Sequence, residues 1–393
     1  MKMNLANIQA ALKEEGIDCW VIYDFQGKNP IMGHFLKTKF MTTRRVFLVI
    51  PAGGEPTLLG SRVDYDTLQS FPYRKIFYVG WQEMESRLRE LLGVARVIGM
   101  DYSPLCALPV VSRVDAGTVE LIQSWDKQVV SAGNVFQSAA AAWPAPVLAA
   151  HLEDCRRVAA IKDEAFQFIA DRLRSGQPVT EYDAQHFIME RFSQEGLWTA
   201  YPPVVAVNAH SGDPHYTPEA GRHAPIHKGD WILIDLWAKQ PDYQFVYADM
   251  TWVAFAGPTP SAKQQEVFEV VKGGRDKAIA FLQEQAGRQT ALEGWQVDDV
   301  TRDYIGQAGY GDYFIHRTGH SLSPGDHVHG AGVNIDNLET HDTRRLSPGI
   351  GFTIEPGVYL PEFGVRLEIN VYMDETGPRV TTPIQQEIIR LDV

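Results

Sequence analysis

Along the first third of the chain, apolar residues recur first at helical spacing and then in short, strand-like runs. Leu5, Ile8 and Leu12 recur at helical spacing, which predicts an amphipathic helix over residues 1–16. Beyond it, short apolar runs alternate with helix-like segments up to about residue 130, a pattern typical of an α/β domain. The runs interpreted as strands are 19–23, 46–50, 76–79, 96–100 and 117–121.

A segment rich in alanine and proline separates this region from the rest. Residues 138–147 include Pro144 and Pro146, and proline interrupts helix propagation. A chain of 393 residues also exceeds the roughly 250 to 300 residues that one hydrophobic core serves. We therefore expect an N-terminal α/β domain over residues 1–140 and a second domain over residues 150–393.

The second domain repeats one order of elements. Helical patterns at 151–174 and 180–196 precede strands, and helical patterns at 261–285 and 294–309 precede further strands. Two copies of a helix-helix-strand unit predict an internal pseudo-two-fold axis, with a cleft where the two sheets meet. The predicted fold class is α/β, or more broadly α+β.

Composition and charge narrow the classes of partner. The net charge of −13, without a cluster of Lys and Arg, argues against nucleic acids and anionic membrane surfaces. Cys19, Cys106 and Cys155 stand far apart, so free thiols are expected rather than disulfides. The N-terminus lacks the apolar core of a signal peptide, and no stretch approaches the roughly 20 apolar residues of a membrane span. A cytoplasmic protein is expected.

Two aspartates stand inside apolar strand patterns of the second domain. Asp235 interrupts the apolar run 231–237, and Asp249 interrupts the run 247–253. An isolated charge in such surroundings costs several kcal/mol, so each carboxylate needs a partner. The connection at 240–244 is rich in turn residues, and a hairpin there would bring Asp235 and Asp249 together.

Two glutamates occur in similar surroundings later in the chain. Glu355 ends an apolar strand pattern, and Glu368 lies within the apolar run 364–371. Strand alternation places Glu368 on one face with Arg366 and Asn370. Each acid alone is more often an edge residue or a salt-bridge partner, but the four together indicate one site.

Four carboxylates in one cleft repel each other, and two divalent cations are the simplest arrangement that neutralises them. A nitrogen ligand is available at His320, where Gly319 allows a close approach of the backbone. Oxygen ligands with one imidazole and no thiolate favour manganese, cobalt, iron or zinc.

These motifs resemble the pita-bread metallopeptidases, a family that includes aminopeptidase P, proline dipeptidase and methionine aminopeptidase, with creatinase as a metal-free relative. The N-terminal region resembles the creatinase/prolidase N-terminal domain. The motifs that carry the resemblance are Leu233-Ile-Asp, Ala248-Asp-Met-Thr, His316-Arg-Thr-Gly-His, Thr353-Ile-Glu-Pro-Gly-Val-Tyr and Val365-Arg-Leu-Glu.

The resemblance implies a role for each ligand. Asp235 would bind one metal, Asp249 and Glu368 would bridge two, and His320 and Glu355 would bind the other. Manganese is the expected metal, with cobalt, zinc or iron as alternatives. Glu355 would also accept a proton from the attacking water.

Two further histidines gain catalytic and substrate-binding roles from the resemblance. His215 matches a histidine near the leaving or N-terminal side of the substrate, and His329 matches one that contacts the scissile carbonyl. His327 competes with His329 because the spacing from His320 includes a two-residue insertion. Without the resemblance, His215 and His329 would each be interpreted as surface-loop histidines.

The implied activity is hydrolysis of Xaa-Pro dipeptides by a proline dipeptidase. Its substrate has a free carboxylate, for which Arg366 is the expected receptor and Arg317 and Arg344 are alternatives. An aminopeptidase P acting on longer peptides is the main alternative. A family member with a small non-peptide substrate and a non-catalytic binding module are less favoured.

The resemblance also implies a homodimer. Residues 24–34 form either a loop that closes over the neighbouring subunit's site or an ordinary loop within the domain. The chain departs from the family pattern near the ligands, at Trp252, Gly330 and Ile369. We expect these departures to affect substrate choice rather than metal binding.

Overall fold

The computed structural model describes residues 4–36 and 42–393. They fall into two compact units, Met1–Ala140 and Ala141–Val393. The helix expected over residues 1–16 begins at Leu5, where the Asn4 side chain accepts a hydrogen bond from the backbone N–H of Asn7. Residues 1–3 of that prediction lie outside the described residues.

The first unit has one mixed sheet with helices around it. Its helices are α1 Leu5–Glu14, α2 Pro30–Leu36, α3 Tyr65–Leu68, α4 Trp81–Leu92, α5 Ala116–Gln123 and α6 Gly133–Ala140. Its strands are β1 Cys19–Phe25, β2 Arg45–Pro51, β3 Thr57–Ser61, β4 Arg74–Tyr78, β5 Val97–Met100 and β6 Gln128–Ser131. They run in the order β4-β3-β2-β1-β5-β6, with β2 antiparallel to both β1 and β3. Apolar clusters cover both faces, which explains the continuous apolar runs of β1 and β2.

One strand prediction in this unit is wrong. Residues 117–121 belong to α5, where the Asp115 side chain caps the helix by accepting from the Thr118 N–H at 2.8 Å. Val119 and Ile122 are buried at helical spacing. A short apolar run fits both the helical and the strand spacing of apolar residues. Here the Asp115 cap favours the helix. The strands β3 and β6 were not predicted.

The second unit contains the repeated order of elements. Its helices are α7 Ala145–Arg174, α8 Glu181–Gln194, α9 Ala262–Gly287 and α10 Gly294–Gln307. The strands of its first half are β7 Val204–Val207, β8 Trp231–Ala238 and β9 Ala248–Phe255. The later strands are β10 Ser321–Leu322, β11 Gly351–Ile354, β12 Gly357–Tyr359, β13 Gly364–Arg366, β14 Ile369–Asp374, β15 Gly377–Val380 and β16 Ile389–Arg390.

The second unit has two four-stranded sheets, and β16 from the end of the chain completes the first of them. The first sheet has the order β16-β9-β8-β7, and the second has the order β10-β11-β14-β15, with β12 and β13 as a separate pair. The α/β class and the repeated helix-helix-strand unit are therefore confirmed. Helix α7 begins earlier than the predicted residue 151, because Pro146 lies in its first turn, where proline is tolerated. No helix among the described residues is both long enough and apolar enough to cross a membrane.

The apolar run 364–371 was predicted as one strand and forms two. Strand β13 pairs with β12, whereas β14 pairs with β11 and β15. At the break, the Leu367 N–H donates to the Pro356 carbonyl at 3.4 Å and the Glu368 N–H donates to the Thr251 carbonyl at 3.2 Å. The change of partner places Glu368 beside β9 of the other sheet.

Candidate metal centre

A cavity of about 370 Å³ lies in the second unit. All eight site residues predicted from the sequence line it: His215, Asp235, Asp249, His320, His329, Glu355, Arg366 and Glu368. Asp249, His320 and Glu368 offer ligand atoms within 4.8 Å of one another, and all three side chains are buried. The cavity is therefore the candidate functional site.

The β8–β9 hairpin brings the two aspartates together. In its antiparallel register, Asp235 pairs with Thr251 and Trp237 pairs with Asp249. Side chains two residues apart on a strand share a face, so Asp235 and Asp249 point to the same side. The Thr251 hydroxyl lies 3.0 Å from Asp235 Oδ1 and 2.8 Å from Glu368 Oε2, which links the hairpin to the second half of the unit.

His320 is held in an orientation suited to a ligand. Its Nδ1 lies 3.0 Å from the Ser321 carbonyl, to which it donates, so Nε2 carries the free lone pair. Nε2 lies 3.5 Å from both Asp249 Oδ2 and Glu355 Oε1. The backbone around His320 is fixed by Thr353, whose N–H donates to the His320 carbonyl at 2.8 Å.

The close approach predicted at Gly319 is present. A Cβ at this position would lie 1.9 Å from the Thr353 carbonyl oxygen. Any side chain at residue 319 would therefore push His320 away from β11, the strand that Glu355 follows.

Burial gives these groups unusual proton affinities. It raises the pKa of Asp249 and of Glu368 well above the ordinary values, and the neighbouring acids raise both further. Burial also raises the pKa of Glu355 and lowers the pKa of His320. Acids that are costly to ionise beside a neutral imidazole are the donor set that divalent cations satisfy. The residues present thus fit a metal centre.

Arg366 is enclosed by the protein on several sides. Its Nη2 donates to Asp235 Oδ2 at 2.5 Å, its Nη1 to the Tyr359 hydroxyl at 3.0 Å and its Nε to the Thr251 hydroxyl at 3.1 Å. The Tyr359 hydroxyl also contacts His316 Nε2 at 2.7 Å. All three nitrogens of Arg366 therefore have protein partners, which limits its capacity to bind a substrate carboxylate.

The two other arginines considered from the sequence differ in position. Arg317 lines the cavity, with its Nη2 3.3 Å from His329 Nδ1 and its Nη1 3.3 Å from Glu339 Oε2. Arg344 is buried in an ion pair with Asp342 and does not belong to the cavity lining among the described residues. Arg317 is thus the better placed of these two to meet a ligand.

Three exposed histidines, His215, His327 and His329, line the cavity. The ring of His329 lies 4.2 Å from the ring of His320, and the His329 N–H donates to His327 Nδ1 at 3.1 Å. The adjacent His320 is the main cause of a lowered His329 pKa. Both His327 and His329 therefore reach the site, with His329 in contact with His320.

The departures from the family pattern lie outside the cavity lining. Trp252 packs in the core, with Lys162 Nζ 3.4 Å above its ring, and Ile369 is buried in another apolar cluster. A Cβ at Gly330 would lie 2.6 Å from the Ser323 nitrogen, so this position has no room for a side chain. Trp237 lines the cavity instead, although its position in the sequence did not distinguish it.

Other residues of the site were also missed by sequence reasoning. Thr251 and Tyr359 belong to two of the motifs that carry the family resemblance, but the sequence did not indicate a role for either. Thr251 had a signal, since it lies two residues after Asp249 and shares its face of the strand. Tyr359 and Glu339 had none, because Tyr359 reaches Arg366 only through the pairing of β12 with β13, and Glu339 meets Arg317 across 22 residues of chain.

Carboxylates and an imidazole gathered in this way define a metal-dependent enzyme. The profile of the family described as metallopeptidase family M24 matches residues 153–375, more than half of the chain. The chain belongs to this family, and the predicted pita-bread relationship is confirmed.

Relatives and solved structures agree with this assignment. An Xaa-Pro dipeptidase of Pyrococcus furiosus is 28% identical over 243 residues, or 61% of this chain and 63% of the relative. An uncharacterised peptidase of Bacillus subtilis, YqhT, is 31% identical over 242 residues, or 61% of this chain and 62% of the relative. The aligned parts are less than two thirds of these two relatives. The dipeptidase PepE of Mycobacterium ulcerans has the same fold, with a TM-score of 0.68, 21% identity and coverage of 98% of this chain and 96% of that chain.

Proposed function

We propose that this protein is a two-metal Xaa-Pro dipeptidase whose catalytic domain is the second unit. The observation that carries the proposal is the gathering of four carboxylates and the His320 imidazole around one cavity of about 370 Å³. Several relatives are Xaa-Pro dipeptidases, among them that of Pyrococcus furiosus, and this supports the substrate class. The N-terminal unit is proposed to be the creatinase/prolidase-type domain.

Five side chains would hold the metals: Asp235, Asp249, His320, Glu355 and Glu368. When bound, two divalent cations supply Lewis acidity and a water of lowered pKa. Manganese is our first choice, with cobalt, zinc and iron as alternatives. Among the protein's own groups, the Glu355 carboxylate would take a proton from the attacking water and return it to the leaving nitrogen of the scissile bond.

The two catalytic histidines would act on the substrate directly. His329 and His215 would donate hydrogen bonds to the scissile carbonyl oxygen, where negative charge develops during the attack. The substrate's amino end would lie beside the acids of the β8–β9 hairpin. Its carboxylate would lie beside Arg317, since Arg317 contacts His329 and Glu339 rather than those acids. We propose Arg317 for this role in place of Arg366, which would hold Asp235 instead.

One substrate comparison tests the proposal. The full chain is reconstituted with manganese and assayed against Xaa-Pro dipeptides, Xaa-Pro-Xaa tripeptides and Met-peptides. Preference for the dipeptides is expected, because a free carboxylate next to proline would pair with Arg317. Preference for the tripeptides would make the protein an aminopeptidase P. An X-Pro aminopeptidase of Thermotoga maritima has the same fold as this chain, with a TM-score of 0.59.

The remaining alternatives have outcomes of their own. A non-catalytic binding module would show neither bound cation nor hydrolysis, and a family member with a small non-peptide substrate would bind metal without cleaving any peptide of the panel.

The Glu355→Ala variant provides the control, since loss of the proton acceptor should reduce kcat at least ~100-fold. Wild-type activity in this variant would exclude the role proposed for Glu355.

We further propose a homodimer located in the cytoplasm, with residues 24–34 near the neighbouring subunit's site. This segment includes the end of β1 and the start of α2, and Phe25 is 40% exposed. Gel filtration and kinetics of Phe25→Ala test the arrangement. A dimer with impaired kcat/KM supports it, whereas a monomer or unchanged kinetics would make the segment an ordinary part of its own domain.

A further inference from the structure

Glu181, the first residue of α8, is a fully buried carboxylate. Among the described residues, no Lys or Arg forms an ion pair with it, and its neighbour is the His210 imidazole. Four groups donate to its two oxygens. Oε1 accepts from the Val207 N–H at 2.7 Å and from His210 Nδ1 at 2.9 Å. Oε2 accepts from the Tyr216 hydroxyl at 2.5 Å and from the Ala224 N–H at 2.6 Å. A buried carboxylate with this many donors is stable without metal.

The four donors come from a single segment of the chain. Val207 ends β7 and β8 begins at Trp231, so residues 207–224 form most of the connection between these strands. The backbone N–H of Glu181 also donates to the Ala224 carbonyl at 3.0 Å. One side chain thus contacts both ends and the middle of residues 207–224, which we call the 207–224 segment.

The same segment forms one wall of the cavity. His215 and Tyr216 line the cavity, together with Pro214 and Thr217. The Tyr216 hydroxyl is held by Glu181, and the His210 ring stacks on the Tyr216 ring with 4.2 Å between their centroids. The exposed His215 is adjacent to this fixed tyrosine, and its own N–H donates to Asp213 Oδ1 at 2.9 Å.

A second anchor fixes only the base of the segment. Ser211 Oγ accepts from the Gly364 N–H at 2.9 Å, which attaches the segment to β13. A Cβ at Gly212 would lie 2.4 Å from the Leu360 carbonyl oxygen, so this contact is tight. These contacts precede His215 in the chain, and Glu181 supplies those that flank it on both sides.

We propose that Glu181 is a positioning residue for the candidate active site: through the 207–224 segment it holds His215 where the substrate binds. Glu181 is fully buried and does not belong to the cavity lining among the described residues, so it acts through other side chains. The inference rests on the proposed function, because it assumes that His215 contacts the substrate.

The test is a double-mutant cycle of Glu181→Gln and His215→Ala in the manganese-loaded full chain, assayed on an Xaa-Pro dipeptide. The amide of glutamine turns one acceptor into a donor, so either the Val207 N–H or the Ala224 N–H loses its acceptor. We expect kcat/KM to fall about 10- to 100-fold, the effect of misplacing a group in the site by about 1 Å. If Glu181 acts through His215, the double variant should be no worse than His215→Ala alone.

A matched control is available in the same helix turn. Asp183→Asn makes the same chemical change at an exposed carboxylate, which accepts hydrogen bonds from the Thr180 N–H and hydroxyl. It should retain wild-type kcat/KM. Additive losses in the double variant, or wild-type kcat/KM in Glu181→Gln with intact metal content, would overturn the positioning role.

A second measurement does not depend on peptidase activity. Hydrogen exchange of the Val207 amide or of the Ala224 amide, whichever faces the new side-chain nitrogen, should accelerate in Glu181→Gln at unchanged metal content, with exchange elsewhere in α8 close to wild type. If the wild type cleaves no Xaa-Pro peptide, the proposed function fails, and exchange alone decides on Glu181. Unchanged exchange of the 207–224 segment would then overturn the inference.

Discussion

The acids of the metal centre are buried close together, and their mutual repulsion is offset by contacts as well as by any bound cation. Thr251 lies within hydrogen-bond distance of Asp235 and Glu368, and Arg366 pairs with Asp235. Removing one member of such a group leaves a buried charge uncompensated, which typically costs about 3 to 5 kcal/mol. Thr251 and Arg366 therefore belong to the structure of the site.

Trp237 is expected to limit the size of the substrate's first residue. It lies opposite Asp249 in the hairpin, lines the cavity and packs on the cluster that includes Val204 and Tyr216. Trp237→Ala should raise kcat/KM for Leu-Pro relative to Ala-Pro by about 10-fold, because it creates room for apolar side chains. Trp252→Phe, outside the cavity lining, should leave the ratio unchanged. An unaltered ratio in Trp237→Ala would contradict this role.

Asp101 is expected to make the stability of the N-terminal unit depend on pH. Burial raises the pKa of its carboxyl to about 7, although Trp20 and Asn29 donate hydrogen bonds to it. Between about pH 4 and pH 7 the folded state keeps a proton that the unfolded state releases. Stability therefore falls as pH rises through this window and levels off above it.

The variant Asp101→Asn removes this titration. Urea unfolding of the full chain at several pH values should show a smaller decline between about pH 5 and pH 7 than the wild type shows. Other titrating groups are common to both proteins and cancel in the difference. Parallel curves would mean that Asp101 is ionised throughout this range.

Packing between elements sets the position of His320. The Gly319 backbone lies against Thr353 of β11, and a Cβ at residue 319 would meet the Thr353 carbonyl at 1.9 Å. Gly319→Ala should lower metal affinity about 10- to 100-fold, a loss similar to that caused by removing the groups that orient a ligand. Isothermal titration with Mn²⁺ measures the change.

A second glycine provides the control for Gly319. Gly306 lies in α10, and a Cβ there has no neighbour within 4 Å. Gly306→Ala should preserve metal affinity and add about 1 kcal/mol of stability, since alanine favours helix. Equal affinities for both variants would show that the Gly319 contact is unimportant for His320.

The elements show where sequence patterns succeed and where they fail. The hairpin strands β8 and β9 and the helices α8 to α10 were predicted, because their patterns are long and have clear caps, such as the capping box of Thr180 and Asp183. The break between β13 and β14 was not predicted. Alternation continues through Leu367 and Glu368, and only the pairing of each strand with a different partner separates them.

At the scale of the whole molecule, metal binding is expected to contribute to stability. Metal that binds only the folded state stabilises it by about 3 kcal/mol at 100 times its Kd. Chelation should therefore lower the Tm of the second unit by about 5 to 10 °C. Calorimetry of metal-loaded and chelated protein measures this, and His320→Ala should show a much smaller difference. Equal Tm values in loaded and chelated wild type would contradict a metal centre at this site.

Much of the candidate site follows from the residues alone, because an acid in an apolar strand is costly and four of them require a common partner. Ligand types, the hairpin and the close approach at Gly319 were accessible in this way. Contacts between distant segments decided the rest. They enclose Arg366, leave Arg317 at the cavity, turn Trp237 toward it and place Glu181 beneath the 207–224 segment. Local periodicity gives the face on which a side chain lies but not the partner that it meets across the fold.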